Sequence, residues 1–321
     1  GHNRQCHRAT RRGGAGTAIR DGLMTVLPGL LDPVVLARIG DLSLIARTVV
    51  DGFMHGLHRA PRLGHSTEFA EHRSYQPGDD LRRLDWRVYG RTDRYYIKEY
   101  EADTNVSVLL ALDLSKSMAF GSAGVTKLDY ARMLVAALAW FSQRQGDRIG
   151  LVLYTDRVVR YVPPSTRHLW LVLHELANAS PAGSGSGIEA NPAINELLGR
   201  GGITVFVSDW YAPPEAVTGA LGGVRVRGHD VIAIHVMDPA EQSFPYSEAA
   251  SFEDLESGER ISLSPERLRP AYRAAYDEHL AQLQTLLTRS SVDYARVATS
   301  EPLDRALYRY LHQREALGRV R

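Results

Sequence analysis

The sequence predicts an α/β fold in which a doubly wound, mostly parallel sheet carries helices on both faces. Two observations lead to this prediction. From residue 106 onward, short apolar runs alternate with segments whose apolar residues recur at helical spacing. The apolar run over residues 106–112 is continuous instead of alternating, which is typical of a strand buried on both faces of a parallel sheet.

Each element of this region has a sequence pattern of its own. Thr126 and Asp129 have the spacing of a capping box, and the apolar stripe behind them ends at Gly146. Ser264 and Pro265 have the composition of a helix start, with Ser as the cap. The predicted strands are 106–112, 149–154, 158–162, 203–207, 231–236 and 292–297, with a further hairpin over 252–263. One predicted helix begins after Thr126 and stops at Gly146. The other predicted helices cover 166–177, the stretch around 194–198, 265 to about 288, and about 302 to 314.

The first third of the chain differs in composition, and we divide the whole chain into three parts. Residues 1–20 are rich in Gly, Arg and His, and we expect them to be disordered. Residues 21–105 are expected to hold an amphipathic helix or two over 32–56, followed by a small β-containing segment with a strand at 95–100. Residues 106–321 form the α/β domain with its C-terminal helices.

Composition excludes several classes of function. Lys and Arg together number 38 while Asp and Glu number 37, so no whole-molecule field attracts nucleic acid or an acidic membrane. The single cysteine, Cys6, rules out an internal disulfide framework and a Cys-based zinc site. No apolar stretch reaches the ~18–20 residues that cross a bilayer. We therefore expect no membrane span, no signal peptide and a cytoplasmic location.

Oxygen donors follow the predicted strands at positions that can converge. The carboxyl ends of parallel strands share one edge of the sheet, where open α/β sheets bind ligands. Serine hydroxyls can bind a metal ion directly, while two aspartates hold the waters bound to it. This pattern predicts a Mg²⁺ or Mn²⁺ site. Neutral ligands leave the ion electrophilic, so it would accept a carboxylate from another molecule and act as a docking point. The candidate metal residues are Asp113, Ser115, Ser117, Asp209 and Ser186, with Ser184 as the reserve for Ser186.

Two other interpretations of Asp113 stay open. Asp and Ser are ordinary turn residues, so the motif can simply end a strand. An apolar strand that ends in Asp also begins haloacid-dehalogenase-like phosphatases, in which this Asp is the nucleophile and an Asp two residues later is the acid/base. Ser115 has no carboxyl for the second role, and the chain has neither a phosphate-binding Gly-x-x-x-x-Gly-Lys-Ser/Thr loop nor a Gly-x-Ser-x-Gly elbow. We therefore expect that the protein is not an enzyme.

The donor pattern resembles a known metal site. Asp113-x-Ser115-x-Ser117, a hydroxyl in a Gly-rich loop, and Asp209 after a later strand are similar to the metal-ion-dependent adhesion site of von Willebrand factor A-type domains. The resemblance implies a sheet of that type, a bound Mg²⁺ and a role in protein–protein interaction. A-type domains usually place Thr in the second loop, where this chain has only serines.

A second resemblance covers roughly residues 35–315. Segments 64–94 and 98–101 resemble the bacterial "domain of unknown function 58" family, and the match continues through 292–294 to 307–311. This resemblance implies pairing with MoxR-type AAA+ ATPases, as an adaptor or co-chaperone in a chaperone-like remodelling system. Many members of the family also carry N-terminal membrane helices, which we do not find in this sequence.

The segment 64–101 is dense in charged and aromatic side chains, and two interpretations of it stay open. We favour an internal network of ion pairs, because its acids offer a partner to almost every arginine. The alternative is a face that docks a partner protein, and contact with nucleic acid is the least favoured. The candidate partner-binding residues are Arg73, Asp79, Asp80, Arg82, Asp85, Trp86 and Arg91.

Overall fold

A six-stranded sheet forms the centre of the protein in the computed structural model. The structure describes residues 32–59, 72–74, 96–98, 106–122, 124–183, 187–247, 250–253, 255 and 260–308. All of them belong to one unit, Leu31–Arg321. The strands are β1 (His72–Ser74), β2 (Tyr96–Lys98), β3 (Ser107–Asp113), β4 (Arg148–Tyr154), β5 (Val158–Ser165), β6 (Gly202–Ser208), β7 (His229–Met237), β8 (Ala250–Glu253), β9 (Arg260–Leu263) and β10 (Asp293–Ala298).

The order of strands in the central sheet is β10-β7-β6-β3-β4-β5. Neighbouring strands are parallel, except that β4 and β5 form an antiparallel pair. The chain therefore builds outward from β3 through β4 and β5 on one side, and through β6, β7 and β10 on the other. The order of strands therefore reverses between β3 and β6. In sheets of this kind, ligands bind in the crevice outside the carboxyl ends of the two strands at such a point.

Helices cover both faces of this sheet. Leu110 and Leu112 of β3 join one buried cluster, whereas the alternating Leu109 and Ala111 join the cluster on the opposite face. The helices are α1 (Pro33–Ala37), α2 (Leu42–Arg59), α3 (Lys127–Arg144), α4 (Leu169–Asn178), α5 (Asn191–Leu197), α6 (Pro214–Val226), α7 (Pro239–Ser243) and α8 (Pro265–Arg289). Residues from α2, α3 and α4 lie in the first cluster, and residues from α5, α6 and α8 lie in the second. The predicted fold class, a doubly wound α/β sheet with helices on both faces, is confirmed.

The individual elements agree with the predictions in most places. All six predicted strands of the α/β domain are present, as are the hairpin of β8 with β9 and the strand at 96–98. Thr126 caps α3 by accepting a hydrogen bond from Asp129 N. Ser264 occupies the N-cap of α8 with Pro265 in the first turn, as predicted, although the Ser264 side chain makes no capping hydrogen bond. Two helices, α6 and α7, were not predicted.

The N-terminal part of the described chain contributes to the same core. Helix α2 buries Ile45, Val49 and Phe53 in the first cluster, which explains the helical spacing of these residues. Strands β1 and β2 form a separate two-stranded antiparallel sheet. Among the described residues, none of the helices has the length and apolar character needed to cross a bilayer. The predicted leader, residues 1–20, lies outside the described residues.

Candidate functional site

The structure brings the predicted donors Asp113 and Asp209 to the same place, where the strand order reverses between β3 and β6. Asp113 is the last residue of β3, Ser208 is the last residue of β6, and Asp209 follows directly. Because β3 and β6 are neighbours, with Leu112 opposite Val207, Asp113 and Asp209 come close enough to interact electrostatically although they are distant in the sequence. Both are buried, which carboxylates rarely are unless a partner stabilises them.

The loop after β3 closes as a tight turn around Asp113. Asp113 Oδ1 accepts a 2.8 Å hydrogen bond from the backbone N–H of Ser115. The hydroxyls of Ser115 and Ser117 lie 3.1 Å apart, and the short 3₁₀ helix Lys116–Ala119 begins between them. The turn interpretation of this motif therefore holds locally, and the same turn gathers three side chains that carry oxygen donors on one loop.

The surroundings of Asp113 disfavour the ionised form of its carboxyl group. Its carboxyl is 1% exposed, and burial, followed by the negative charge of Asp209, raises its pKa to about 7. Hydrogen bonds from Ser208 and from the backbone and side chain of Ser115 act in the opposite direction but are weaker. A positive ion beside the carboxylate would counter both the desolvation and the repulsion.

The backbone after Asp209 is held in an unusual conformation. Trp210 has φ of +50°, in the left-handed region that a bulky residue seldom adopts. Its indole N–H donates to the carbonyl of Ile234 at 3.0 Å, and its own carbonyl accepts from Nε2 of His279 at 2.9 Å. These contacts with β7 and α8 fix the turn, and so the direction in which Asp209 leaves the strand.

The described ends of the Gly-rich loop also lie close to the loop of Asp113. Ala182 N donates to the carbonyl of Leu114 at 2.8 Å. Gly187 has φ of +74°, and a Cβ at this position would lie only 3.1 Å from Asp113 Oδ2. Ser184 and Ser186 lie outside the described residues, so the structure gives no account of the third hydroxyl. Ala182 and Gly187, which lie on either side of these serines, are close to the loop of Asp113.

Three functional groups of this site escaped the sequence-based prediction. Ser208 Oγ donates to Asp113 Oδ2 at 2.7 Å, and Lys127 Nζ donates to Asp209 Oδ2 at 2.8 Å and to Glu241 Oε1 at 2.6 Å. The sequence contained a weak signal for two of these groups, Lys127 and Glu241. Lys127 lies four residues before the buried Ala131 and therefore on the apolar face of α3. Glu241 is the N3 residue of a capping box whose N-cap is Asp238.

The residues that the structure describes fit a hard divalent cation. An octahedral ion with ligands at about 2.1 Å places adjacent ligand oxygens about 3.0 Å apart, close to the 3.1 Å between the hydroxyls of Ser115 and Ser117. Gly187 leaves the space beside Asp113 clear of a side chain. Within the described ranges, no three His, Cys, Asp or Glu side chains form a metal-binding group, so a cation here would depend on hydroxyl and water oxygens.

Most of the candidate partner-binding residues of the segment 64–101 lie outside the described residues. Arg73 belongs to β1, which pairs with β2, but only its backbone is described. The other six lie outside the described residues, namely Asp79, Asp80, Arg82, Asp85, Trp86 and Arg91. Their assignment stays a prediction.

Solved structures with a similar course of the chain share little sequence with it. The conserved hypothetical protein BatB from Bacteroides thetaiotaomicron is 19% identical, with a TM-score of 0.45 over 65% of this chain and 98% of its own. An aerotolerance-related membrane protein from Bacteroides fragilis is also 19% identical, with a TM-score of 0.46 over 65% and 99%. The SpRpn10 VWA domain is 13% identical, with a TM-score of 0.38 over 63% and 94%.

Sequence comparison identifies closer relatives. The uncharacterized proteins Rv1480 of Mycobacterium tuberculosis and Mb1516 of Mycobacterium bovis are each 32% identical over 259 residues, which cover 78% of this chain and 81% of theirs. The family model of DUF58, a protein of unknown function, matches residues 71–282, a range that contains Asp113, Lys127, Asp209 and Glu241. The chain therefore belongs to the DUF58 family.

Proposed function

We propose that this protein is a divalent-cation-dependent protein-interaction module. The ion, Mg²⁺ or Mn²⁺, is held at the carboxyl edge of β3 and β6 by the hydroxyls of Ser115 and Ser117 and a hydroxyl of the Gly-rich loop. Asp113 and Asp209 orient its bound waters. A carboxylate of the partner completes the coordination, so the module binds its partner only when the cation is present.

One observation carries this proposal: two acids that repel each other electrostatically, Asp113 and Asp209, are both buried at the carboxyl ends of the neighbouring strands β3 and β6. A strand-end turn accounts for the hydrogen bond between Asp113 and Ser115 N, and Lys127 compensates the charge of Asp209, but neither contact compensates a buried charge on Asp113. A bound cation would compensate it, because the ion offsets the lost hydration of Asp113 and its repulsion by Asp209.

The partner and setting are inferred from the family resemblance. The module serves as an adaptor or co-chaperone of a MoxR-type AAA+ ATPase, in the cytoplasm, and the carboxylate is supplied by the ATPase or by its client. It catalyses no reaction of its own. The single cysteine is in keeping with a reducing compartment.

Calorimetric titration with MnCl₂ tests the cation site directly. We expect wild type to bind Mn²⁺, and Asp113→Ala and Ser115→Ala to lose the binding while their circular dichroism stays unchanged. Asp230→Ala is the matched control, because this acid pairs with Arg225 at the amino end of β7, opposite to the site. Equal affinity of wild type and the two site variants would refute the proposal.

A pull-down tests the partner. A purified MoxR-type ATPase from the same organism is captured on immobilised wild type and on Asp113→Ala, in MgCl₂ and in EDTA. We expect capture by wild type in MgCl₂ alone, and the same capture in EDTA would contradict a cation-dependent interaction. Metal-dependent phosphatase turnover that disappears in Asp113→Asn would favour the phosphatase alternative instead.

A further inference from the structure

Lys127 places a positive charge inside the protein next to the candidate cation site. Its side chain is 0% exposed, and Nζ lies 2.8 Å from Asp209 Oδ2 and 2.6 Å from Glu241 Oε1. The rings of Tyr211 and Phe120 lie over the ammonium, with their centroids 4.6 and 6.0 Å from Nζ. Burial by itself lowers the pKa of Lys127, but the two carboxylates outweigh it and raise this pKa above its ordinary value.

Helix formation and fold stability are weak reasons for this placement. Lys127 is the first residue of α3, where the helix dipole disfavours a cation. A buried ion pair also adds little stability compared with apolar side chains of the same volume. The distinctive feature of Lys127 is its contact with Asp209, the residue whose charge acts on Asp113.

Glu241 extends the contact to the end of the neighbouring strand. Its Oε1 accepts from Lys127, while its Oε2 accepts from the backbone N–H of Asp238 at 3.1 Å in the capping box that begins α7. Asp209, Lys127 and Glu241 therefore connect the ends of β6 and β7 to the start of α3 in one continuous set of charged contacts.

The charges of this set match a divalent ion. When Asp113, Asp209 and Glu241 are ionised, three carboxylates and the ammonium of Lys127 leave two net negative charges. A divalent cation would cancel them. Neither Lys127 nor Glu241 needs to touch the cation to affect its binding, because charges at such short range interact strongly in buried surroundings.

We propose that Lys127 is a positioning residue of the cation site, which fixes Asp209 and, through Glu241, sets the charge of the site and couples it to α7. This inference rests on the proposed function. It predicts that a residue outside the ligand set, Glu241, controls the affinity for the cation. It also predicts that the Asp209 turn and α7 loosen together when the coupling is broken.

The first experiment measures Mn²⁺ affinity by calorimetry in wild type, Glu241→Gln and Glu175→Gln. Glu175 is a matched control, because its carboxylate is as buried as that of Glu241, 14% against 13% exposed, and pairs with Arg160 near the β5 edge. We expect Glu241→Gln to bind about tenfold more weakly, the size expected for one unit charge within about 10 Å of a divalent ion. Equal affinities of Glu241→Gln and Glu175→Gln, beside a wild type that binds, would overturn the inference and leave the proposed function intact.

The second experiment measures backbone hydrogen exchange in EDTA, so it is independent of the cation. In Lys127→Met we expect faster exchange over both 208–212 and 239–243. Asp209→Asn keeps Lys127 buried and is the milder variant, and we expect it to speed exchange over 239–243 as well. Faster exchange at 239–243 in Lys127→Met with no change at 208–212, or an unchanged α7 in Asp209→Asn, would show that Lys127 does not couple the two segments. A wild type that binds no Mn²⁺ refutes the proposed function, and these exchange rates then decide the coupling by themselves.

Discussion

Ser208 Oγ donates a 2.7 Å hydrogen bond to Asp113 Oδ2 across the junction of β6 and β3, with both residues buried. The same hydroxyl accepts from the backbone N–H of Trp210 at 3.2 Å. One serine therefore supports the acid of the first loop and the strained turn behind the second acid. Its hydrogen bond is also the largest of the effects that hold the pKa of Asp113 down.

We expect Ser208→Ala to lower the free energy of unfolding by about 1–3 kcal/mol, because Asp113 and Trp210 N each lose a buried partner. Mn²⁺ affinity at pH 7 should also fall, because the pKa of Asp113 rises further without this donor and a proton then competes with the cation. Urea denaturation in EDTA and calorimetry measure the two effects. Thr285→Ala is the control, since its exposed hydroxyl donates to the carbonyl of Ala281 within α8. Equal stability of the two variants would contradict this account of Ser208.

The raised pKa of Asp113 predicts an unusual dependence of stability on pH. Between about pH 4 and 7 the native protein keeps a proton on Asp113 that the unfolded chain, with its ordinary pKa of 3.8, has released. The free energy of unfolding therefore falls as the pH rises through this window, by at most about 1.4 kcal/mol per pH unit from this group. Asp113→Asn removes the titration. We expect the variant to gain stability relative to wild type between pH 5 and pH 8 in EDTA, and parallel pH profiles of the two proteins would refute the prediction.

Gly187 allows a test of the space beside Asp113. In Gly187→Ala the new Cβ would lie 3.0 Å from Tyr154 Cε2 and 3.1 Å from Asp113 Oδ2, and the residue would also have to keep a φ of +74°. Gly40→Ala separates the two effects, because Gly40 has a φ of +72° with no atom within 4 Å of the added Cβ. Both variants carry the left-handed penalty of roughly 1–2 kcal/mol. We expect further destabilisation and weaker Mn²⁺ binding in Gly187→Ala alone, and identical behaviour would mean that the contact is unimportant.

The position of the loop after β3 could be predicted from the sequence because its signal is local. A continuous apolar run predicts a buried parallel strand, and the residues at the end of such a strand must lie at the ligand-binding edge. The partnership of Ser208 with Asp113 was not predictable in this way. It depends on β6 lying directly beside β3, a strand order that local patterns do not specify.

Helix α6 shows the same limit for secondary structure. It buries Val217, Leu221 and Val224 at helical spacing, yet Gly219, Gly222 and Gly223 lower its intrinsic helix propensity. Packing on the second face of the sheet stabilises the helix in spite of that composition. Lys127 was overlooked for a related reason. A lysine in the first turn of a helix is usually solvated, and only the tertiary contacts with Asp209 and Glu241 reveal its burial.

The identity of the third hydroxyl is the prediction on which the cation site depends most. Ser186 directly precedes Gly187, where an added Cβ would lie 3.1 Å from Asp113 Oδ2, whereas Ser184 directly follows Gly183, where an added Cβ would lie 2.8 Å from Thr155 Cβ. In the sequence Ser186 is therefore one residue away from the glycine beside Asp113, whereas Ser184 is three residues away from it. We therefore expect Ser186→Ala to weaken Mn²⁺ binding by about tenfold or more, and Ser184→Ala to leave it within about twofold.

Calorimetry on both alanine variants and on Ser186→Thr measures this difference. Threonine keeps the hydroxyl and is the residue that A-type domains usually have in the second loop, so we expect Ser186→Thr to bind Mn²⁺ as well as wild type does. A loss of affinity in Ser184→Ala in place of Ser186→Ala would assign the ligand to Ser184. Full affinity in both alanine variants would mean that the second loop supplies no hydroxyl. In that case the cation would be held by Ser115 and Ser117 alone, with water in place of the third hydroxyl, and replacing either serine by alanine would then remove half of the protein's direct ligands.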